Sequence, residues 1–129
     1  MKQRVISLND GDFTLAEEIY DRSGVDVRQC MQCGKCTAGC PMDFAYDLGV
    51  SQIMRMVLSG NREELLNSRS IWLCASCHTC SVRCPALLEV SEVLEVLRHM
   101  ARKEGTVNVR PVKRFADSFL ECLAKYGRI

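Results

Sequence analysis

Nine cysteines in 129 residues make sulfur chemistry the first question this sequence raises. Eight of them form two groups of identical spacing. "CMQCGKCTAGCP" sets Cys30, Cys33, Cys36 and Cys40 before Pro41, and "CASCHTCSVRCP" sets Cys74, Cys77, Cys80 and Cys84 before Pro85. Each group reads C-x2-C-x2-C-x3-C-P, the run that supplies thiolate ligands to [4Fe–4S] clusters. Two-residue spacers let a short loop wrap three sulfurs around one face of a cluster. The fourth cysteine departs as the chain turns away, and in two-cluster proteins it ligates the other cluster. The spacing therefore predicts one ligand set of Cys30, Cys33, Cys36 and Cys84, and a second of Cys40, Cys74, Cys77 and Cys80. Pro41 and Pro85 fix φ and bias the cysteines before them toward extended backbone.

Other sulfur chemistries explain less. "CASCH", from Cys74 to His78, matches covalent haem attachment, but that reading accounts for one copy of a motif that occurs twice. Structural zinc takes four ligands, typically as two C-x2-C pairs, and has no use for a third cysteine followed by C-P. Disulfides require an oxidising compartment and leave one of nine thiols over. "MKQRVISLNDGDF" lacks the apolar run of a signal peptide, so a cytoplasmic protein is expected. No stretch approaches the ~18 apolar residues of a membrane span. With 17 basic and 16 acidic residues, net charge +1, the chain has no basic excess to suggest nucleic-acid binding.

The elements that must hold the cysteines read as helices. The whole chain, 1–129, is expected to be one mostly α domain, with 1–24 as an N-terminal extension and 111–129 as a C-terminal helix. Between the motifs, Val50, Ile53, Met54, Val57 and Leu58 recur at amphipathic helical spacing. Asn61, with Glu64 three residues on, resembles the cap of a short second helix. After Pro85, Val90, Val93, Leu94, Leu97, Met100 and Ala101 mark a helix with Ser91 as expected N-cap and Gly105 as its stop. A last helix starts near Pro111 and carries Phe115, Phe119, Cys122 and Leu123 on one side. "LAEEIYDRSG" is expected to be helical up to Gly24. "QRVISL" alternates enough for a short strand.

Outside the motifs, little suggests chemistry. Cys122 reads as a buried structural thiol, His78 as packing within the second loop, and His99 as a residue on a wet helix face. Trp72 and the methionines at helical positions read as core. Arg28, Lys35 and Arg83 flank the ligands, where they could raise cluster potentials or simply be solvated charges. Small residues such as Gly34, Gly39 and Ala75 leave backbone N–H groups close to the sulfurs. No carboxylate pair, phosphate loop, nucleophile–base pair or C-C-G motif is visible. The chain reads as a conductor without a reaction site. Metal binding supplies folding free energy, so the cluster-free chain is expected to be largely disordered or molten.

Taken together, "CMQCGKCTAGCP", the 33-residue gap, "IWLCASCHTCSVRCP", "EVLEVLRHMARKEG" and the closing "FADSFLECLAKYGRI" resemble the heterodisulfide reductase C-subunit family over roughly residues 13–129. The eight-cysteine core is shared with the α-helical ferredoxin domains of succinate dehydrogenase and anaerobic glycerol-3-phosphate dehydrogenase. The words "IWLC" and "KYGR" point to the narrower family. The resemblance implies an electron relay: a flavin- and cluster-bearing A-subunit supplies electrons, and the C-subunit passes them through two [4Fe–4S] clusters. A B-subunit with C-C-G motifs then reduces the mixed disulfide of coenzymes M and B. It implies a cytoplasmic oxidoreductase complex in which this chain carries the eight cysteine ligands and no catalytic residue. Iron–sulfur subunits of other dehydrogenases and of sulfur-oxidising complexes are the alternatives, and a zinc-stapled structural protein is the alternative from another class.

Overall fold

A computed structural model describes residues 12–128, all helices, turns and loops, with no strand among the described residues. The strand expected over "QRVISL" lies outside them. The helices are α1 (Leu15–Ser23), α2 (Lys35–Ala38), α3 (Val50–Leu58), α4 (Arg62–Leu66), α5 (Ser70–Leu73), α6 (Thr79–Val82), α7 (Val90–Glu104) and α8 (Arg110–Tyr126). The mostly α expectation holds.

One core joins α1, α3, α4, α5 and α7. Leu15 and Ile19 of α1, Ile53 and Val57 of α3, Leu65 of α4, Ile71 of α5 and Val93 and Leu97 of α7 have no exposed surface. Each such side chain contributes roughly 1.5–3 kcal/mol through burial, which is what gives short helices their stability. The α3 stripe is wider than expected: Met56 is buried beside Met54, while Leu58 is only partly covered. Trp72 is core, as expected, and His99 is exposed.

The helix ends follow the punctuation of the sequence, with exceptions. Gly24 and Gly105 close α1 and α7 in left-handed backbone, which glycine adopts without a Cβ penalty. Gly60 has a stricter reason to be glycine. Its φ is +71° and a Cβ there would stand 2.5 Å from the backbone of Asp12, whose N–H donates to the Gly60 carbonyl. At the start of α3, the Gly49 N–H donates to Gln52 Oε1 at 2.9 Å, the returning half of a capping box. Asn61 occupies the N-cap of α4 without making a side-chain cap bond. Ser91 is not the N-cap of α7: Glu89 precedes the helix, and the Ser91 hydroxyl is committed elsewhere. Cys122 is not a buried thiol either. No residue of α8 is buried, and Cys122 is partly exposed.

Candidate metal centre

Both motifs fold to the same plan. The residue before the second cysteine is left-handed in each, Gln32 at φ 52° and Ser76 at φ 50°. The residue after it is left-handed too, Gly34 at 76° and His78 at 58°, and each begins a four-residue helix carrying the third cysteine. Alternating handedness turns successive N–H groups toward one concavity, a shape suited to an anionic group. His78 holds a conformation that glycine adopts freely and other residues adopt at a cost of about 1–3 kcal/mol. Its Nδ1 lies 2.9 Å from Ser91 Oγ, and this contact secures the turn.

The residue after the third cysteine fastens each short helix to a long one. The Ser51 N–H on α3 donates to Thr37 Oγ1 at 2.8 Å, and the Thr37 hydroxyl donates to Ser51 Oγ at 2.8 Å. In the second motif the Ser91 N–H on α7 donates to Ser81 Oγ at 3.0 Å, and the two hydroxyls lie 2.9 Å apart. The repeat seen in the cysteines thus extends to Thr37/Ser81 and Ser51/Ser91.

Two cavities result. One is lined by Cys30, Cys33, Cys36 and Cys84. The other is lined by Cys40, Cys74, Cys77 and Cys80. Each long helix lines both: Val50 of α3 and Leu94 of α7 line the second cavity, and Met54 of α3 and Val90 of α7 line the first. Cys33 and Cys77 are exposed, Cys80 is buried and the other five are partly covered. Among the described residues no three His, Cys, Asp or Glu side chains gather closely enough to hold one metal ion. The sulfurs ring two concavities instead. A tetrahedral zinc site would draw four sulfurs to about 3.8 Å of one another around ~2.3 Å Zn–S bonds.

The thiols also want a counter-charge. Burial pushes Cys80 up to about 11, helped by the neighbouring Cys74, and burial likewise raises Cys36. Hydrogen bonds from Thr79 lower Cys77. Coordination to a cation deprotonates such thiols outright. Tyr46 lines the second cavity with its hydroxyl sealed from water and without a hydrogen-bond partner among the described residues. The Cys40 and Cys74 sulfurs are near enough to act on it without meeting hydrogen-bond geometry. Burial and those sulfurs raise the phenol far above its ordinary range, so it is a neutral O–H donor. The donor set, the two concavities and this orphaned hydroxyl all suit anionic iron–sulfur clusters.

Two polar anchors position the second motif, and the sequence reading missed both. Asp47 reaches across to the start of α5. It accepts hydrogen bonds from the Ser68 hydroxyl at 2.8 Å, the Arg69 N–H at 2.9 Å, the Ser70 N–H at 3.0 Å and the Ser70 hydroxyl at 2.7 Å. At the other end of α5, Arg98 of α7 donates from Nε to the Ile71 carbonyl at 2.8 Å and from Nη2 to the Cys74 carbonyl at 3.1 Å. α5 is thereby clamped at both ends immediately before Cys74. Neither residue has a local motif; each works across more than twenty positions of sequence.

Burial alone would raise the Asp47 pKa, but those N–H and hydroxyl donors outweigh it and bring it to about 2. The unfolded value is near 3.9, so the folded state gains stability above about pH 4 and loses it as pH falls toward 2. Asp47→Asn is expected to cost about 1–2 kcal/mol, the range of a lost helix cap. Denaturation of the two proteins should differ most at neutral pH and converge as pH drops from about 4 to 2.

The helical architecture and the paired four-cysteine cavities define a two-cluster protein of the α-helical ferredoxin type. A 4Fe-4S dicluster domain matches residues 26–88, so the chain binds two [4Fe–4S] clusters. Its relatives are C-subunits of heterodisulfide reductases. It is 35% identical over 106 residues to the C-subunit of the Ferredoxin:CoB-CoM heterodisulfide reductase of Methanosarcina mazei, 81% of this chain and 64% of that one. It is 29% identical over 119 residues to the C-subunit of the H(2):CoB-CoM heterodisulfide,ferredoxin reductase of Methanothermobacter thermautotrophicus, 92% of this chain and 63% of that one. With an iron-sulfur C-subunit of the CoB–CoM heterodisulfide reductase of Methanocaldococcus jannaschii it shares 33% over 97 residues, 75% of this chain and 50% of that one. The chain spans between half and just under two thirds of the length of these relatives. No helix among the described residues is long and apolar enough to cross a membrane.

Proposed function

We propose that this chain is the electron-relay subunit of a heterodisulfide reductase-type complex in the cytoplasm, its clusters held by crossed sets of cysteines. Cys30, Cys33, Cys36 and Cys84 hold one, and Cys40, Cys74, Cys77 and Cys80 the other. The observation that carries the reading is the composition of the two cavities: each contains three cysteines of one motif and the last cysteine of the other. Bound there, the clusters supply one-electron chemistry at potentials set by charge, hydrogen bonds and exposure. Each cavity has one exposed ligand, Cys33 or Cys77, which gives each cluster its own opening toward a partner. Val50 and Leu94 on one site, and Met54 and Val90 on the other, are buried and keep water out.

The chain conducts and leaves substrate reduction to its neighbours. The relatives' names concern the heterodisulfide of coenzymes B and M, which makes such a disulfide the favoured terminal substrate. A flavin-bearing protein like the family's A-subunit supplies electrons, and a protein with C-C-G motifs, like its B-subunit, receives them. Anaerobic isolation of the tagged chain from its own organism, followed by identification of its companions, tests this. A flavoprotein together with a C-C-G protein is the expected result. Isolation with a dehydrogenase of another kind, or alone, would contradict it.

A further inference from the structure

The internal repeat gives the two cavities one plan, and one residue breaks it. Val50 opens α3 and Val90 opens α7, and each lines the cavity of the C-P cysteine that precedes it. Four residues before Val50 stands Tyr46, on the second cavity; four before Val90 stands Ala86, on the first. A phenol therefore takes in one site the place a methyl group takes in the other. Its hydroxyl has no partner among the described residues and no access to water. Leaving such a group unsatisfied is unfavourable, a penalty removed by an acceptor inside the cavity. Cys40 and Cys74, the two sulfurs that act on it, belong to one ligand set.

We propose that the Tyr46 O–H donates a hydrogen bond to the sulfurs of the cluster held by Cys40, Cys74, Cys77 and Cys80, raising the potential of that cluster and not of its twin. The proposal rests on the crossed ligand assignment. Reduction adds negative charge that spreads over the cluster sulfurs, so a fixed donor aimed at them favours the reduced form. Gln32, Thr79 and Lys35, three other polar groups near the sulfurs, lie in wetter places. Gln32 Nε2 donates to Cys30 Sγ at 3.4 Å from an exposed side chain, Thr79 Oγ1 is 3.3 Å from the exposed Cys77 Sγ, and Lys35 is exposed. Water competes with all three. Tyr46 acts where the local dielectric is low, and its single bond counts for more.

Tyr46→Phe removes one oxygen and keeps the ring. The test is a redox titration of the full chain with both clusters bound, followed by cryogenic electron paramagnetic resonance. At fixed solution potential, the oxidised-to-reduced ratio of one cluster should rise about tenfold, equivalent to a midpoint about 59 mV lower for a one-electron couple. The other midpoint should stay in place. The wild-type signal should also show an exchangeable proton coupling, lost in deuterated buffer and absent from Tyr46→Phe. Tyr46→Leu should reproduce the shift. Unchanged midpoints in Tyr46→Phe with both clusters present would overturn the proposal, as would a shift in the leucine variant alone, which would be packing. Failure of the ligand assignment reads differently: Cys84→Ala and Cys77→Ala would erase the same signal, and both readings would then be overturned.

Discussion

Cys84→Ala is expected to remove the cluster built on the first motif, although Cys84 belongs to the second. Cys84 lines the cavity of Cys30, Cys33 and Cys36, and without it that cluster is left with three thiolates and an open iron. Iron content should fall from about eight to about four atoms per chain, the loss of one cubane. Combined variants identify which one is gone. Cys33→Ala should abolish the same signal, so adding it to Cys84→Ala should cost nothing further, the non-additivity expected of residues that act as one unit. Cys77→Ala added to Cys84→Ala should leave no cluster at all. Iron analysis with low-temperature electron paramagnetic resonance on anaerobically prepared variants reads all three results. If the first pair together removes both clusters, the crossed assignment is wrong.

Removal of both clusters is the second large effect. The turns that present the cysteines have little stability of their own. α2 and α6 are four residues each, far below the length at which isolated helices form, and Gln32, Ser76 and His78 sit in costly left-handed backbone. All nine cysteines are free of disulfides, so nothing covalent replaces the iron. The proposed crossed ligation would tie residue 30 to residue 84, a closure of about 55 residues. By chain entropy alone such a tie is worth about 4 kcal/mol, the figure for a disulfide spanning that length, before any bond energy is counted. For a domain whose whole stability is about 5–15 kcal/mol, the loss is large. Oxidative cluster breakdown with chelation should abolish the cooperative thermal transition and much of the far-UV helical signal. A chelated protein that keeps both would show that the α1–α3–α4–α7 core folds without help from the clusters.

What the sequence disclosed depended on whether the information was local. The cysteine spacing, the α3 and α7 stripes and the Gly24 and Gly105 stops are short-range patterns, and each appears in the structure where the pattern put it. Ser91 shows the limit. As a serine near the start of a helix it looks like a cap, yet its hydroxyl serves Ser81 and His78. Only the packing of α6 on α7 reveals this. The other half of the repeat is built the same way, with Ser51 bonded to Thr37. Asp47 and Arg98 carried no signal, because their partners at Ser68–Ser70 and Ile71–Cys74 are distant in sequence. Cys122 misled for a different reason: helical spacing marks an apolar side, but whether anything covers that side is a tertiary matter, and α8 has no buried residue.

Anomalous diffraction at the iron edge, from a crystal of the anaerobically purified chain, tests the crossed two-cluster centre most directly. The prediction is two separate four-iron peaks, one bonded to the sulfurs of Cys30, Cys33, Cys36 and Cys84, the other to those of Cys40, Cys74, Cys77 and Cys80. Iron bonded instead to all four cysteines of a single motif, or a lone metal ion between the motifs, would contradict it.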